Sequence, residues 1–256
     1  QEAMQAPDKG DFQKSMSAEI DSQMKLGAYD VVSRSSKPPS DTLLPAVWAF
    51  RRKRKVATGE VYKHKARLNL GGHRMTKGKD YDETYAPVAA WPSIRLLLGM
   101  TIQNGWHTRQ VDYVLAYPQA PIDRDIYMEI PRGCELPGYN SKEYILKIKR
   151  NVYGGKASGR IWYQYLRQRL ASIGFTVSEH DECVFFKCKA MHVLYTDDSI
   201  LAGPDPVELD NILDQIKASE LDITSEGGID DFLGVAIERK PDNTFHLTQQ
   251  KLIQSI

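Results

Sequence analysis

The stretch MHVLYTDDSILAG, residues 191–203, consists of two short apolar runs around a polar centre, Thr196-Asp197-Asp198. Apolar runs that flank a polar turn predict a β-hairpin, and its turn would present both aspartates at the surface of a sheet. Asp112 lies near the end of another strand-like run, His107–Val114. Because strands and helices mix along the chain without a regular βαβ rhythm, the sequence predicts an α+β fold with a mainly antiparallel sheet.

Further patterns predict the elements around this hairpin. Amphipathic runs predict helices, and alternating runs bounded by turn residues predict strands. The predicted elements are a helix with Phe12, Met16, Ile20 and Met24 on one face, a hairpin over Val47–Asn69 that turns at Ala57-Thr58-Gly59, a helix capped by Ser93 and ended by Asn104-Gly105, a helix over Arg160–Ile173, a strand over Cys183–Phe186, a helix capped by Asp205, and strands over Phe232–Ile237 and Thr244–Leu247. The helix over 160–173 is expected to pack on the sheet that carries Asp197 and Asp198.

The bulk composition is that of a folded protein. The chain has 256 residues, of which 41% are hydrophobic, enough for one large domain or two subdomains. No apolar run approaches the roughly 18 residues that cross a bilayer. The N-terminal QEAMQAPDKG lacks the charged-then-apolar order of a secretory signal. The sequence therefore predicts neither a membrane span nor secretion.

Cysteine usage favours a reducing compartment. Cys134, Cys183 and Cys188 form no CxxC pair, and three is an odd number for a disulfide framework. His180 lies close to two of them, which raises zinc as an alternative, but no fourth ligand follows at a useful spacing. Ordinary, partly buried side chains are the preferred interpretation.

Charge is unevenly distributed although the net charge is only +1. Residues 51–79 contain eleven Lys or Arg and one acid, Glu60. Residues 197–238 contain twelve Asp or Glu and one cation, Lys217. Such a separation suits a protein that binds phosphates with one surface and uses carboxylates elsewhere.

Three aspartates are the candidate reactive groups. Asp112, Asp197 and Asp198, once brought together, would repel one another unless cations lay between them. Magnesium is a hard ion that prefers oxygen ligands, and two such ions about 3.5–4 Å apart stabilise an in-line phosphoryl transfer. For an Asp-Asp pair taken alone, a plain polar turn is the commoner explanation.

Several segments together resemble a known family. Tyr195-Thr196-Asp197-Asp198 is similar to the YxDD box of reverse transcriptases. Five further segments resemble, in order and spacing, the polymerase of copia-type LTR retrotransposons; they are Lys65–Val88, Ser93–Leu98, Gln110–Gly133, Val152–Tyr163 and Asp230–Arg239. The resemblance covers nearly the whole chain.

The resemblance implies a right-hand polymerase fold and an RNA-directed DNA polymerase (reverse transcriptase). Fingers would comprise about residues 1–105 and 119–158, and a palm with a mainly antiparallel sheet about 106–118 and 159–240. Residues 241–256 would begin the connection towards a thumb that is largely missing. The implied partners are an RNA template, a DNA primer, dNTPs and other parts of a Pol polyprotein. The implied location is the cytoplasm, within a virus-like particle, or the nucleus.

The resemblance also assigns roles to individual residues. Asp112, Asp197 and Asp198, with the Val111 carbonyl, would hold two Mg²⁺ ions, which Mn²⁺ could replace. The nucleotide would be bound by Lys65, Arg67, Tyr117 and Lys156, and the template and primer by Arg51, Arg52, Lys53, Arg54 and Tyr195. Tyr117 would obstruct a 2′-hydroxyl, the group that distinguishes RNA from DNA, or else be a core aromatic. The run 51–55 would hold template phosphates, unless it is a nuclear-localisation patch or a solvated strand.

Two departures from the family pattern leave other functions open. Ala157, Ser158 and Gly159 replace the residues that normally follow the lysine of the box containing Lys156. Only KCKAMH separates Phe186 from Val193, and this short hairpin is expected to shift or loosen the metal site. The second hypothesis is therefore a catalytically inactive remnant that binds nucleic acid. A third is a metal-dependent nuclease.

Overall fold

The computed structural model describes residues 2–54, 60–133, 136, 138–242 and 244–253. Lys55, Cys134 and the predicted turn at 57–59 lie outside the described residues. The described helices are α1 (Glu2–Gln5), α2 (Lys9–Lys25), α3 (Trp91–Asn104), α4 (Ala116–Gln119), α5 (Ser158–Ser172), α6 (Pro206–Ala218) and α7 (Gln250–Ile253).

The strands of this part of the chain are mostly short. They are β1 (Tyr29–Ser33), β2 (Leu43–Leu44), β3 (Ala46–Arg54), β4 (Val61–Leu70), β5 (His107–Tyr113), β6 (Pro121–Met128), β7 (Tyr144–Arg150), β8 (Thr176–Val177), β9 (Val184–Lys187), β10 (Ala190–Tyr195), β11 (Asp198–Gly203), β12 (Ile223–Glu226), β13 (Asp231–Phe232), β14 (Val235–Arg239) and β15 (Phe245–Thr248). All of their pairings are antiparallel except that of β2 with β6. The predicted mixed α+β fold with antiparallel sheets is confirmed.

The chain divides into two compact units. The first comprises Gln1–Tyr85 and Tyr117–Trp162, and the second Ala86–Ala116 and Tyr163–Ile256. Residues 86–105 belong to the second unit. The reason is that α3 buries Ile94, Leu97 and Leu98 and packs on β10 and β11.

The first unit is built on helix α2. As predicted, Phe12, Met16 and Ile20 are buried, because they recur on one face of the helix. Met24, predicted on the same face, is 42% exposed because it lies in the last turn, where the helix ends at Gly27 in the left-handed conformation. The helix packs on β4 of the two-stranded β3–β4 ribbon, beside a second sheet of order β1-β7-β6-β2.

The second unit is built on a six-stranded antiparallel sheet of order β12-β5-β11-β10-β9-β8. Helices α3 and α6 pack on its central strands. The predicted cap of α6 is confirmed, since the Asp205 carboxylate accepts a hydrogen bond of 2.9 Å from the Val207 amide. A separate three-stranded sheet has the order β13-β14-β15.

Two local predictions were wrong in this unit. Ser93 does not cap α3; its hydroxyl donates to the Asp181 carboxylate (2.6 Å), which also accepts from the Ala90 amide at the start of the helix. The predicted strand Phe232–Ile237 is a hairpin, because Leu233 (φ 53°) and Gly234 (φ 79°) form a two-residue turn between β13 and β14.

No helix in the described ranges is long and apolar enough to span a bilayer.

Candidate active site

The hairpin of β10 and β11 presents the predicted aspartate pair. Tyr195 pairs with Asp198, so Thr196 and Asp197 form its two-residue turn. Thr196 has a φ of 58°, a left-handed conformation that β-branched residues rarely adopt. Such backbone strain is common at functional sites.

The short segment before this hairpin closes without disrupting it. Lys187 pairs with Ala190, leaving Cys188 (φ 52°) and Lys189 as the turn between β9 and β10. The pairing then continues in register to Val193. The sequence predicts that this short segment shifts or loosens the metal site, but in the structure β10 is a fully paired strand.

The third predicted aspartate lies beside the pair. Asp112 on β5 is directly opposite Asp198 on β11, and the Tyr113 amide donates to the Asp197 carbonyl (3.1 Å). Opposite residues of an antiparallel pair project from the same face of the sheet. The fold of the second unit thus brings the three aspartates together at the end of β5.

The potential at this place is negative. The pKa of the Asp198 carboxyl is raised to about 6, first by burial and then by the nearby carboxylates of Asp197, Asp112 and Asp231. Asp231 was missed from the sequence. The one local feature that could have indicated Asp231 is its place in the pair Asp230-Asp231, directly before Phe232-Leu233-Gly234.

The donor set suits magnesium by its chemistry, since every side chain is a carboxylate. Among the described residues, however, no group of three or more His, Cys, Asp or Glu side chains converges tightly enough to hold a metal ion. The Val111 carbonyl, a predicted ligand, accepts a hydrogen bond from the buried Ser199 hydroxyl (3.2 Å). Tyr195 is half-buried at the end of β10.

Five cations of the β3–β4 ribbon lie on the same one of its two faces. Arg51 is opposite Lys65, and Lys53 is opposite Lys63, while Arg67 is opposite Ala49 and therefore on the same face. We call these five residues (Arg51, Lys53, Lys63, Lys65 and Arg67) the cationic face. The pKa of the Lys65 ammonium is lowered, first by burial and then by its neighbours Arg67, Lys53 and Lys63.

Arg52 belongs to the other face of the ribbon. It is opposite His64, and both side chains contact the Asp8 carboxylate, Arg52 through two hydrogen bonds of 2.7 and 2.8 Å and His64 through one of 2.7 Å. Of the predicted template residues, Arg51 and Lys53 therefore lie on the cationic face and Arg52 does not. Arg54 follows a register shift and is opposite Val61.

The loop after β7 is fixed against the end of β4. The Leu70 amide donates to the Tyr153 carbonyl (2.7 Å). A Cβ on Gly72 would lie 2.1 Å from the Gly154 carbonyl oxygen, so the two chain segments cross in contact. Lys156, predicted to bind the nucleotide, is exposed in this loop, and its amide contacts the Met75 sulfur (3.3 Å).

The unusual residues of this loop are themselves ordered. The Ser158 hydroxyl donates to the Val152 carbonyl (2.7 Å), and the Asn151 side-chain amide donates to the Ser158 carbonyl (2.8 Å). These two bonds fix the start of α5. The substituted loop is thus held by its own hydrogen bonds.

Tyr117 and Arg67 contact the same aromatic ring. Tyr117 stacks on Tyr153, with ring centroids 4.8 Å apart and planes 26° from parallel. The Arg67 guanidinium lies 3.9 Å from the centroid of the Tyr153 ring. Tyr153 was not singled out from the sequence, because nothing local indicates that residues 67, 117 and 153 meet.

An antiparallel sheet with aspartates at a hairpin turn, in a chain that also carries a cationic ribbon, is typical of proteins that act on nucleotides or nucleic acids. The family model for reverse transcriptase (RNA-dependent DNA polymerase) matches residues 27–256. The chain belongs to this family.

Its relatives are Pol polyproteins of copia-type transposons. It is 32% identical to the retrovirus-related Pol polyprotein from transposon RE1 of Arabidopsis thaliana, over 98% of this chain and 17% of that protein. It is 29% identical to the polyprotein from transposon TNT 1-94 of Nicotiana tabacum, over 100% of this chain and 19% of that protein. The predicted copia-type membership is confirmed, and the chain spans less than a fifth of the length of these relatives.

Proposed function

We propose that this chain is an RNA-directed DNA polymerase that transfers deoxynucleotides from dNTPs to a primer 3′-hydroxyl. The observation that carries the proposal is the position of Asp198 opposite Asp112, beside Asp197, in a chain of the reverse transcriptase family. In its relatives this segment is part of a Pol polyprotein. Other parts of such a polyprotein are the proposed partners.

The aspartates would hold the metal ions of the reaction. Two Mg²⁺ ions, or Mn²⁺ in their place, would activate the 3′-hydroxyl and stabilise charge on the leaving pyrophosphate. The raised pKa of Asp198 supports a role in cation binding, because a divalent ion would offset the repulsion from Asp112 and Asp197. The three carboxylates would move closer together when the ions bind, since catalytic contacts are often long in the unbound protein and tighten in the complex.

The first unit would bind the nucleotide and the template. Lys65 and Arg67 would hold the triphosphate, Lys156 would contact the nucleotide, and Tyr117 would exclude a 2′-hydroxyl. Arg51 and Lys53, on the same face as Lys65, would contact template phosphates without reading sequence.

The decisive experiment is primer extension on an RNA template with dNTPs and Mg²⁺. Template-dependent extension is expected for the wild type and loss of at least about a hundredfold for Asp197→Asn. Asp214→Asn is the matched control, because this exposed aspartate of α6 pairs only with Lys217 among the ion pairs described. Substrate cleavage in place of extension would support the nuclease.

A catalytically inactive remnant is the second candidate. The observation that favours it is that the described carboxylates do not converge on a metal position. It predicts that the wild type binds a primed RNA template but extends no primer in Mg²⁺ or Mn²⁺. Extension that depends on Asp197 excludes it.

A further inference from the structure

We infer that Tyr153 is a positioning residue that couples triphosphate binding to exclusion of the 2′-hydroxyl. The inference rests on the proposed function, in which Arg67 holds the triphosphate and Tyr117 lies at the sugar. Tyr153 contacts both of these side chains and is 7% exposed. It would act through them and not on the nucleotide itself.

The first contact orients the guanidinium of Arg67. A guanidinium 3.9 Å from a ring centroid is within the range of a cation–π interaction. Stacking uses the flat face of the group and leaves its in-plane N–H donors for two phosphate oxygens. Without the ring, the long arginine side chain would lose its preferred orientation and bind a triphosphate with a larger entropic cost.

The second contact fixes the ring of Tyr117. Its near-parallel stacking on Tyr153 at 4.8 Å removes the freedom of the half-buried side chain to rotate aside. Discrimination against a 2′-hydroxyl requires a barrier that does not yield, because a mobile ring could make room for the extra oxygen.

The backbone holds Tyr153 to both partners. Its carbonyl accepts from the Leu70 amide, three residues after Arg67 on β4. The Asn151 amide donates to the Ala120 carbonyl (2.8 Å), and the Ala120 amide donates to the Tyr117 carbonyl (3.1 Å). The ring is therefore anchored to the segments that carry Arg67 and Tyr117, so both contacts persist together.

The test compares Tyr153→Leu with Tyr153→Phe, which keeps the ring. For Tyr153→Leu we expect the KM for dNTPs to rise about tenfold and the preference for dNTPs over rNTPs to fall about tenfold, with kcat changed by less than about threefold. Tyr153→Phe is expected to stay within about twofold of the wild type. Tyr165→Leu is the matched control, because it removes another tyrosine ring that contacts an arginine. The Arg169 guanidinium lies 4.9 Å from the centroid of the Tyr165 ring.

A binding measurement separates this inference from the proposed function. The measurement is the affinity for dGTP of the protein bound to a primed RNA template. The DNA primer ends in a dideoxynucleotide, so that dGTP binds but cannot be incorporated. The inference is supported if, of the three variants, only Tyr153→Leu binds dGTP more weakly than the wild type. This holds even if the wild type extends no primer and the proposed catalysis fails. Equal binding and equal sugar preference in Tyr153→Leu and the wild type overturn it, as does absence of dGTP binding by the wild type.

A second variant covers the case in which Tyr153→Leu does not fold. Arg67→Lys keeps the charge but removes the planar group that stacks on the ring. It is expected to lose dNTP affinity and sugar discrimination to a similar extent. Loss of affinity with unchanged sugar discrimination in Arg67→Lys would contradict the coupling.

Discussion

Asp198 lies directly opposite Asp112 in the antiparallel pairing of β11 with β5. Like charges in directly opposite positions destabilise a sheet, and Asp197 adds a third carboxylate in the adjoining turn. The pKa of Asp198 is raised to about 6, first by burial and then by these neighbouring carboxylates, so the ionised side chain is disfavoured in the folded protein. The proposed metal site is thus expected to lower the stability of the protein when no cation is bound.

Removing one of these charges is expected to stabilise the metal-free protein. For Asp198→Asn we expect the free energy of unfolding at pH 7.5, in EDTA, to increase by about 1 kcal/mol, a value reduced to allow for the half-exposed side chain. Urea unfolding measures it. Asp214→Asn removes an exposed charge elsewhere and is expected to give no gain. Mg²⁺ is expected to stabilise the wild type more than Asp198→Asn, and an Asp198→Asn protein no more stable than the wild type in EDTA contradicts the repulsion.

His192 on β10 makes the stability dependent on pH. Its ring is completely buried near Phe175 and Phe185, and neither ring nitrogen has a hydrogen-bond partner. Burial lowers the pKa of its imidazole from 6.5 to about 4. Above pH 6.5 the residue is neutral in both the folded and the unfolded protein, so it contributes no pH dependence there.

Between pH 6.5 and pH 4 the unfolded chain binds a proton at His192 that the folded protein does not. Stability therefore falls as the pH is lowered through this range, by a total on the order of 3 kcal/mol. We expect His192→Leu to reduce this fall in urea unfolding measured from pH 7.5 to 4.5. His180→Leu, at an exposed position, is the control and is expected to keep it. An unchanged profile in His192→Leu would show that other groups cause the pH dependence.

The crossing of Gly72 and Gly154 is expected to be intolerant of substitution. A Cβ on Gly154 would lie 2.4 Å from the Leu70 carbonyl oxygen, at a φ of 86°. Gly154→Ala is therefore expected to cost about 3 kcal/mol or more of unfolding free energy. Gly138→Ala is a close control, because Gly138 has nearly the same φ (85°) but open space around its Cβ position, and about 1 kcal/mol is expected there. Equal losses in the two variants would mean that φ alone, without the crossing, sets the cost.

The sequence predicted those elements whose signals are local. The periodicity of α2 and the Asp205 cap of α6 are written within a few residues, and both were found where they were predicted. The cap of α3 was predicted wrongly, since Asp181 is 88 residues from Ser93. The Leu233-Gly234 turn was missed because leucine rarely adopts the left-handed conformation.

The candidate site shows the same division. The sequence predicts Asp112, Asp197 and Asp198 as candidate ligands, but the position of Asp112 opposite Asp198 depends on strand register, which no local pattern specifies. The contact of Arg67 with Tyr153 joins residues 86 positions apart in the chain and could not be read from either segment. The cationic run was evident, yet its separation into two faces required the pairing of β3 with β4.

That separation predicts which cations bind nucleic acid. Arg51 and Lys53 lie on the cationic face, whereas Arg52 is held by Asp8 on the other face. Each phosphate contact to a single strand contributes about 0.7 to the slope of log K against log salt. For the double variant Arg51→Gln, Lys53→Gln we expect weaker binding to single-stranded RNA and a slope that is smaller by about 1.4. Fluorescence anisotropy between about 50 and 300 mM salt measures this slope.

Arg52→Gln removes a charge from the same strand and is the matched control. It is expected to leave the salt slope unchanged and instead to lower the melting temperature, because it breaks the two hydrogen bonds between Arg52 and Asp8. A slope reduced as much by Arg52→Gln as by a single substitution at Arg51 or Lys53 would show that the whole run binds RNA through its net charge. A reduction confined to Arg51 and Lys53 would place the RNA backbone on the face that also carries Lys65 and Arg67.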